Sequence, residues 1–246
     1  MDARSRNAYS RAHIPGARNA DLFHYFVPGT DAKNLRVFQN DLESNLGRLG
    51  LRGNERAIVY ESGFGMRAAR VAWMLEYAGI ESPQMLEGGF RAWQDSKYRI
   101  EKKRRAVVPT KFKANPDPRV LATVDHVRSL SKSRTGIVLD VRTQGEYDGS
   151  EKRDCCPRSG RIPRSTWLEW TNFLDGKGGF QSPGSIGRQL RLMGVGPDAE
   201  IAVYCHRGAR AAAAFYALRS MGYNKARNYV GSWHEWSSKK NLPVEV

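Results

Sequence analysis

The stretch "AEIAVYCHRGARAAAAFYALRSMGYNKARNYVGSWHEW", residues 199–236, decides the fold because the chain carries it twice. Residues 56–93, "RAIVYESGFGMRAARVAWMLEYAGIESPQMLEGGFRAW", lie under it with one extra residue in the first loop. Tyr60 then falls on Tyr204, Arg67 on Arg210, Gly79 on Gly222, Gly88 on Gly231 and Trp93 on Trp236. Upstream, "DARSRNAY" (2–9) matches "DVRTQGEY" (140–147), and "AHIPGA" (12–17) matches "GRIPRS" (160–165). Matched blocks in one order mark a tandem duplication, and a repeat of this kind fixes the architecture before local detail does.

Each copy reads alike. A short apolar strand, "AIVY" or "IAVY", runs into a glycine-bearing loop and then an Ala-rich helix over 66–78 or 209–221. These helices are rich in good helix formers, and Gly79 and Gly222 stand where a C-terminal cap glycine belongs. A second short strand, "QMLEG" or "RNYVG", and a Trp-bearing helix follow, and "GIVLDV" (136–141) is a further buried strand of the second copy. Short apolar strands alternating with helices predict an α/β fold, parallel sheets flanked by helices. The second copy adds a strand and a helix, near 124–132, ahead of its Asp140 block, whereas the first begins at Met1. The first domain is therefore expected to lack its opening strand and helix. The boundaries that follow are an N-terminally truncated domain over 1–98, a basic linker over 99–117 and a second domain over 118–246. The region between the copies, "SKYRIEKKRRAVVPTKFKANPDPR" (96–119), holds three prolines and no helical period.

Composition narrows the class. The 246 residues are 40% hydrophobic and 26% charged, as in a soluble globular protein. No 18-residue apolar run offers a membrane span, and the polar N-terminus lacks a secretory signal, so a cytoplasmic location and no membrane partner are expected. Lys and Arg outnumber Asp and Glu by 40 to 25, a net charge of +15. The charge is scattered apart from residues 99–113, which argues against nucleic acid and for a field that draws small anions to a site. The three cysteines, Cys155, Cys156 and Cys205, are too few for a disulfide framework. Nor do they stand at metal-ligand spacing from the five histidines, so no metal and no organic cofactor are expected. Cys155 and Cys156 read as incidental loop thiols, since adjacent cysteines bridge only with strain.

The chemistry sits in the strand-to-helix loop Cys205-His206-Arg207-Gly208-Ala209-Arg210. A parallel α/β fold binds ligands beyond the carboxyl ends of its strands. A helix that starts just after Cys205 aims backbone N–H groups and its positive dipole end at that thiol. Arg207 and Arg210, with His206 as a third cation, would favour thiolate over thiol. The same cradle suits an oxyanion such as thiosulfate, sulfite or phosphate. The first copy has Glu61 at the matched position, so it keeps the scaffold without the nucleophile.

Taken together, "DVRTQGEY", "RIPRSTWLEW", "YCHRGARAA" and "YVGSWHEW", with "DARSRNAY", "AHIPGA" and "LEGGFRAW" of the first copy, resemble the tandem-domain rhodaneses, the thiosulfate sulfurtransferase family. The resemblance implies that Cys205 is catalytic, accepting a sulfane sulfur as a persulfide. It implies that His206, Arg207, Gly208, Ala209 and Arg210 bind the donor and the departing sulfite. Asp140 and Arg142 match the family's D-x-R and are expected to brace the loop. Trp233 and Trp236 are expected in the core and pocket wall. The implied partners are a small anionic donor, thiosulfate, and a thiol or cyanide acceptor, acting on a monomer.

Loop length and charge separate the alternatives. Four residues lie between Cys205 and Arg210, whereas the dual-specificity phosphatases related to this family have a loop one residue longer. Members that use 3-mercaptopyruvate carry a nearly neutral loop resembling "CGSGVT", while a cationic loop suits dianionic thiosulfate. The alternatives kept open are a 3-mercaptopyruvate sulfurtransferase and a persulfide carrier that delivers sulfur to a partner protein. One residue departs from the family: Glu146 stands where the best-known tandem members have a substrate-gripping arginine. Arg153, Arg158 and Arg161 are candidates to replace it.

Overall fold

Strand β5 (Ile201–Tyr204) explains why the second half folds as it does: all four of its residues are buried, as expected of a central parallel strand covered on both faces. The structure, a computed structural model, describes residues 1–246. It divides into two compact units. Unit 1 comprises Met1–Tyr25, Arg36–Asp117 and Gly176–Gly179; unit 2 comprises Phe26–Leu35, Pro118–Asp175 and Phe180–Val246.

In unit 1, helix α1 (Arg6–Arg11), most of α2 (Ala32–Arg48), strand β1 (Ile58–Val59), α3 (Met66–Tyr77), β2 (Gln84–Met85) and α4 (Gly89–Asp95) follow in order. β1 and β2 pair in parallel. Helix α3 is buried along nearly its whole length, with Trp73 and Tyr77 stacked on each other and on Phe38. Asp2 bridges Asn19 and Tyr60, so a single residue stands where unit 2 has a full strand. The basic residues after Tyr98 run as irregular chain, pinned where Glu101 bridges His13.

Unit 2 contains α5 (Val124–Leu130), β3 (Ile137–Asp140), α6 (Gln144–Asp148), β4 (Thr166–Trp167), α7 (Pro183–Leu192), β5, α8 (Ala209–Ser220), β6 (Ala226–Asn228) and α9 (Ser232–Ser238). The sheet order is β4-β3-β5-β6, parallel throughout. Trp236 is fully buried and Trp233 nearly so, within a core that includes Val138, Ala202 and Tyr204. No helix is long and apolar enough to cross a membrane.

The duplication extends to single hydrogen bonds. Arg142 Nη2 donates to Asp140 Oδ2 at 2.6 Å and to the Gly160 carbonyl at 2.8 Å. Arg4 Nη2 donates to Asp2 Oδ2 at 2.6 Å and to the Ala12 carbonyl at 2.7 Å. Tyr204 Oη accepts the Ile162 N–H at 3.2 Å, and Tyr60 Oη accepts that of Ile14 at 3.1 Å. Even the ring under the guanidinium is kept: Trp233 beneath Arg142 at 4.7 Å and Phe90 beneath Arg4 at 3.8 Å.

Candidate functional site at the carboxyl end of β5

Cys205 follows the last residue of β5 and is almost wholly buried. Three residues on, the chain must turn sharply to start α8. Gly208 takes the left-handed conformation at φ 80°, and a Cβ there would stand 2.9 Å from the Val230 backbone. Glycine is the residue that meets both demands. The turn aims the Gly208 N–H at Cys205 Sγ, 3.1 Å away. The sulfur thus sits at the amino end of α8, where backbone donors and the helix dipole favour negative charge.

Helix α9 holds the loop from the other side. Ser232 Oγ accepts the Cys205 N–H at 3.1 Å and lies 4.0 Å from its sulfur. The N–H groups of Trp233 and His234 donate to the carbonyls of Cys205 and His206 at 3.0 and 3.1 Å. Ser232 adopts φ 51°, a strained value for a side-chain-bearing residue, at the point where its hydroxyl reaches the loop. In turn Glu235 accepts from Thr30, N–H to Oε1 at 2.9 Å and Oγ1 to Oε2 at 2.8 Å. The segment carrying Thr30 also places Phe26 beneath the Arg207 guanidinium, 4.5 Å from the ring centre. Sequence reasoning missed Ser232, Phe26 and Thr30; a serine directly after Gly231 in "GSW" was the one local sign.

The arginines of the loop differ in their surroundings. Arg210 makes a two-pronged pair with Glu146, Nη1 to Oε2 at 2.6 Å and Nη2 to Oε1 at 3.0 Å. Burial by itself would raise the Glu146 carboxyl, but Arg210, and after it Arg153 at 3.1 Å, hold it far below the usual carboxylate range. Glu146 also accepts from Thr143 in a capping box that starts α6, which fixes its position. One of the loop's two formal charges is therefore matched by a buried anion.

His206 is not the third cation that the sequence suggested. Burial and then the neighbouring Arg207 push its pKa down to about 4, so the imidazole is neutral at pH 7. Its Nε2 lies 2.8 Å from Cys155 Sγ. Asp140 and Arg142, both buried, form their ion pair beside Tyr204, whose hydroxyl donates to Asp140. Of the three arginines that could stand in for one at position 146, Arg153 lies on Glu146 itself. Arg158 donates to the carbonyls of Trp236, Ser237, Lys239 and Leu242, and Arg161 pairs with Glu245.

The matched loop of unit 1 is built differently at its key position. Glu61 Oε1 accepts the N–H groups of Arg67 and Ala68, each at 3.0 Å, in the first turn of α3. A carboxylate there occupies the place that backbone donors offer to an anion.

Comparison with known proteins agrees with this geometry. The sequence model of the rhodanese-like domain matches residues 1–96 and again 123–239. A thiosulfate sulfurtransferase of Pseudomonas aeruginosa is 29% identical over 248 residues, covering 100% of this chain and 90% of the relative. A probable 3-mercaptopyruvate sulfurtransferase of the same organism is 28% identical, covering 96% of this chain and 85% of the relative. Among solved structures, a probable thiosulfate sulfurtransferase superposes with a TM-score of 0.82 at 35% identity, covering 100% of this chain and 96% of that one.

Proposed function

From the premise that the chain belongs to the rhodanese family, as two successive rhodanese-like domains, we propose that it is a sulfurtransferase that takes sulfane sulfur from thiosulfate onto Cys205. The observation that carries this reading is the Cys205 sulfur at the amino end of α8, with the Gly208 N–H directed onto it. In the first half-reaction Cys205 Sγ attacks the outer sulfur of thiosulfate. The S–S bond of the donor breaks, and sulfite leaves with the bonding pair toward the loop N–H groups, Arg207 and Arg210. In the second, a thiol or cyanide attacks the outer sulfur of the persulfide and restores Cys205. His206 and Ala209 complete the loop around the donor, while Asp140 and Arg142 position the strand end that precedes it.

A 3-mercaptopyruvate donor is the second reading, and a specific observation favours it. The Glu146 carboxylate offsets the charge of Arg210, which lessens the electrostatic preference for a dianion. Relatives named for each donor are similar to this chain to nearly the same degree. Incubation with thiosulfate should add one sulfur, about 32 Da, to the wild type and none to Cys205→Ala. Steady-state rates with the two donors side by side then assign the donor. An unmodified wild type, or an adduct that survives in Cys205→Ala, refutes sulfur transfer through Cys205.

A further inference from the structure

The loop between α6 and β4 carries two thiols that the transfer reaction leaves unused. Cys155 and Cys156 lie in a turn closed by the Cys156 N–H on the Arg153 carbonyl at 2.9 Å. Their Sγ atoms are 3.7 Å apart, and Cys155 Sγ is 2.8 Å from His206 Nε2. All three donor atoms fall within 4.8 Å of one another, although 51 residues of sequence separate Cys155 from His206. Cys155 is exposed, Cys156 buried and His206 half-buried, so the cluster has an open mouth and a closed floor.

From this juxtaposition we propose that Cys155, Cys156 and His206 form a binding site for a thiophilic divalent cation, Zn2+. Two thiolates about 2.3 Å from a tetrahedral ion stand roughly 3.8 Å apart, which is close to the spacing of these two sulfurs. Two soft sulfurs and one imidazole are the donors that zinc selects over the hard oxygen-seeking cations. Two thiolates also cancel the charge of the ion, so the bound site adds no net charge to surroundings that include Arg153 and Arg207. Three protein ligands leave a fourth position at the exposed side of Cys155. An ion held there would tie the 153–156 turn to the loop that begins at Cys205, through the residue that directly follows the nucleophile. It would thereby stiffen that loop and slow transfer. The binding site itself does not depend on the sulfur-transfer reading.

The test is metal retention. Reduced, chelator-treated protein is given excess Zn2+, desalted without oxygen and analysed for zinc. The wild type should retain about one zinc per chain, and Cys155→Ser/Cys156→Ser should retain almost none. Because Cys156 is buried, the exposed single variant Cys155→Ser serves as the folded control; it should bind at least about tenfold more weakly. Co2+ in place of zinc should give tetrahedral and sulfur-to-metal absorption bands in the wild type and in Cys205→Ala, and none in Cys155→Ser/Cys156→Ser. Cys205→Ala should keep its zinc. Equal retention by the wild type and Cys155→Ser, or loss of zinc in Cys205→Ala, overturns the site, the second by placing the ion on the nucleophile. Neither result bears on whether Cys205 forms a persulfide.

Discussion

Glu146 and Arg210 form a two-pronged ion pair across 64 residues of sequence, with oxygen–nitrogen distances of 2.6 and 3.0 Å. The carboxylate is almost wholly buried and the guanidinium largely so. The carboxylate of the α6 capping box thus meets an arginine in the first turn of α8. Glu146 brings no positive charge to this position; its carboxylate restrains Arg210.

Replacing Glu146 by glutamine should release Arg210 and leave its charge without a partner. Breaking a buried pair in this way destabilises by roughly 3–5 kcal/mol, and the partial exposure of Arg210 brings the expectation to about 2–3 kcal/mol. Urea unfolding measures that loss. In the folded variant, the ratio of kcat/KM for thiosulfate to that for 3-mercaptopyruvate should rise, since the loop then presents an unmatched charge to the dianion. An unchanged ratio would mean that Arg210 does not face the donor.

The same pair sets an acid sensitivity. The Glu146 carboxyl is held below its ordinary value of 4.5, so its contribution is complete above that value and is lost as pH falls toward the depressed one. Wild-type stability should therefore drop more steeply between about pH 5 and pH 2 than that of Glu146→Gln. Parallel melting curves against pH read the difference, and parallel slopes would contradict it.

Gly208→Ala should be severe. Its φ of 80° disfavours any side chain, and the new methyl would meet the Val230 backbone at 2.9 Å. Strain at such a position costs about 1–3 kcal/mol before the clash is counted. The turn must open to relieve it, which removes the N–H from Cys205 Sγ. Loss of the persulfide adduct together with a lower melting temperature is the expected result.

Asp140→Asn should test the brace. Both Asp140 and Arg142 are buried, so the substitution leaves a guanidinium without a counter-charge, at a cost of about 3 kcal/mol or more. Chemical denaturation of the variant gives the value directly.

The pH dependence of turnover should carry no step from His206. Its pKa near 4 keeps it neutral through the neutral range. Profiles of wild type and His206→Gln between about pH 5.5 and 8 should have the same shape, whatever their heights. A limb near pH 6–7 that vanishes in the variant would show a histidine titrating at its ordinary value.

The parts of this molecule legible in the sequence are those written locally. The apolar run of β5, the glycine at 208 and the Ala-rich α8 follow each other within twenty residues and specify strand, turn and helix in place. The duplication made Asp2 and Asp140, or Tyr60 and Tyr204, recognisable as counterparts, and their hydrogen bonds do coincide. What stayed hidden depends on segments that meet only in the folded chain. Nothing in the spacing of Glu146 and Arg210, Thr30 and Glu235, or Cys155 and His206 announces their contact, because periodicity reports which face a residue occupies and not what packs on it. The charge state of His206 is hidden from the sequence for the same reason: burial, which lowers its basicity, is a tertiary property.

The carboxylate of Glu61 bears on how many donors one molecule can take. Because its Oε1 already accepts the first-turn N–H groups of α3, that seat comes furnished with a tethered occupant that a dissolved anion would have to displace. Titration with a sulfur oxyanion should therefore saturate at a single equivalent, and the duplication written in the sequence should leave no trace in the binding isotherm.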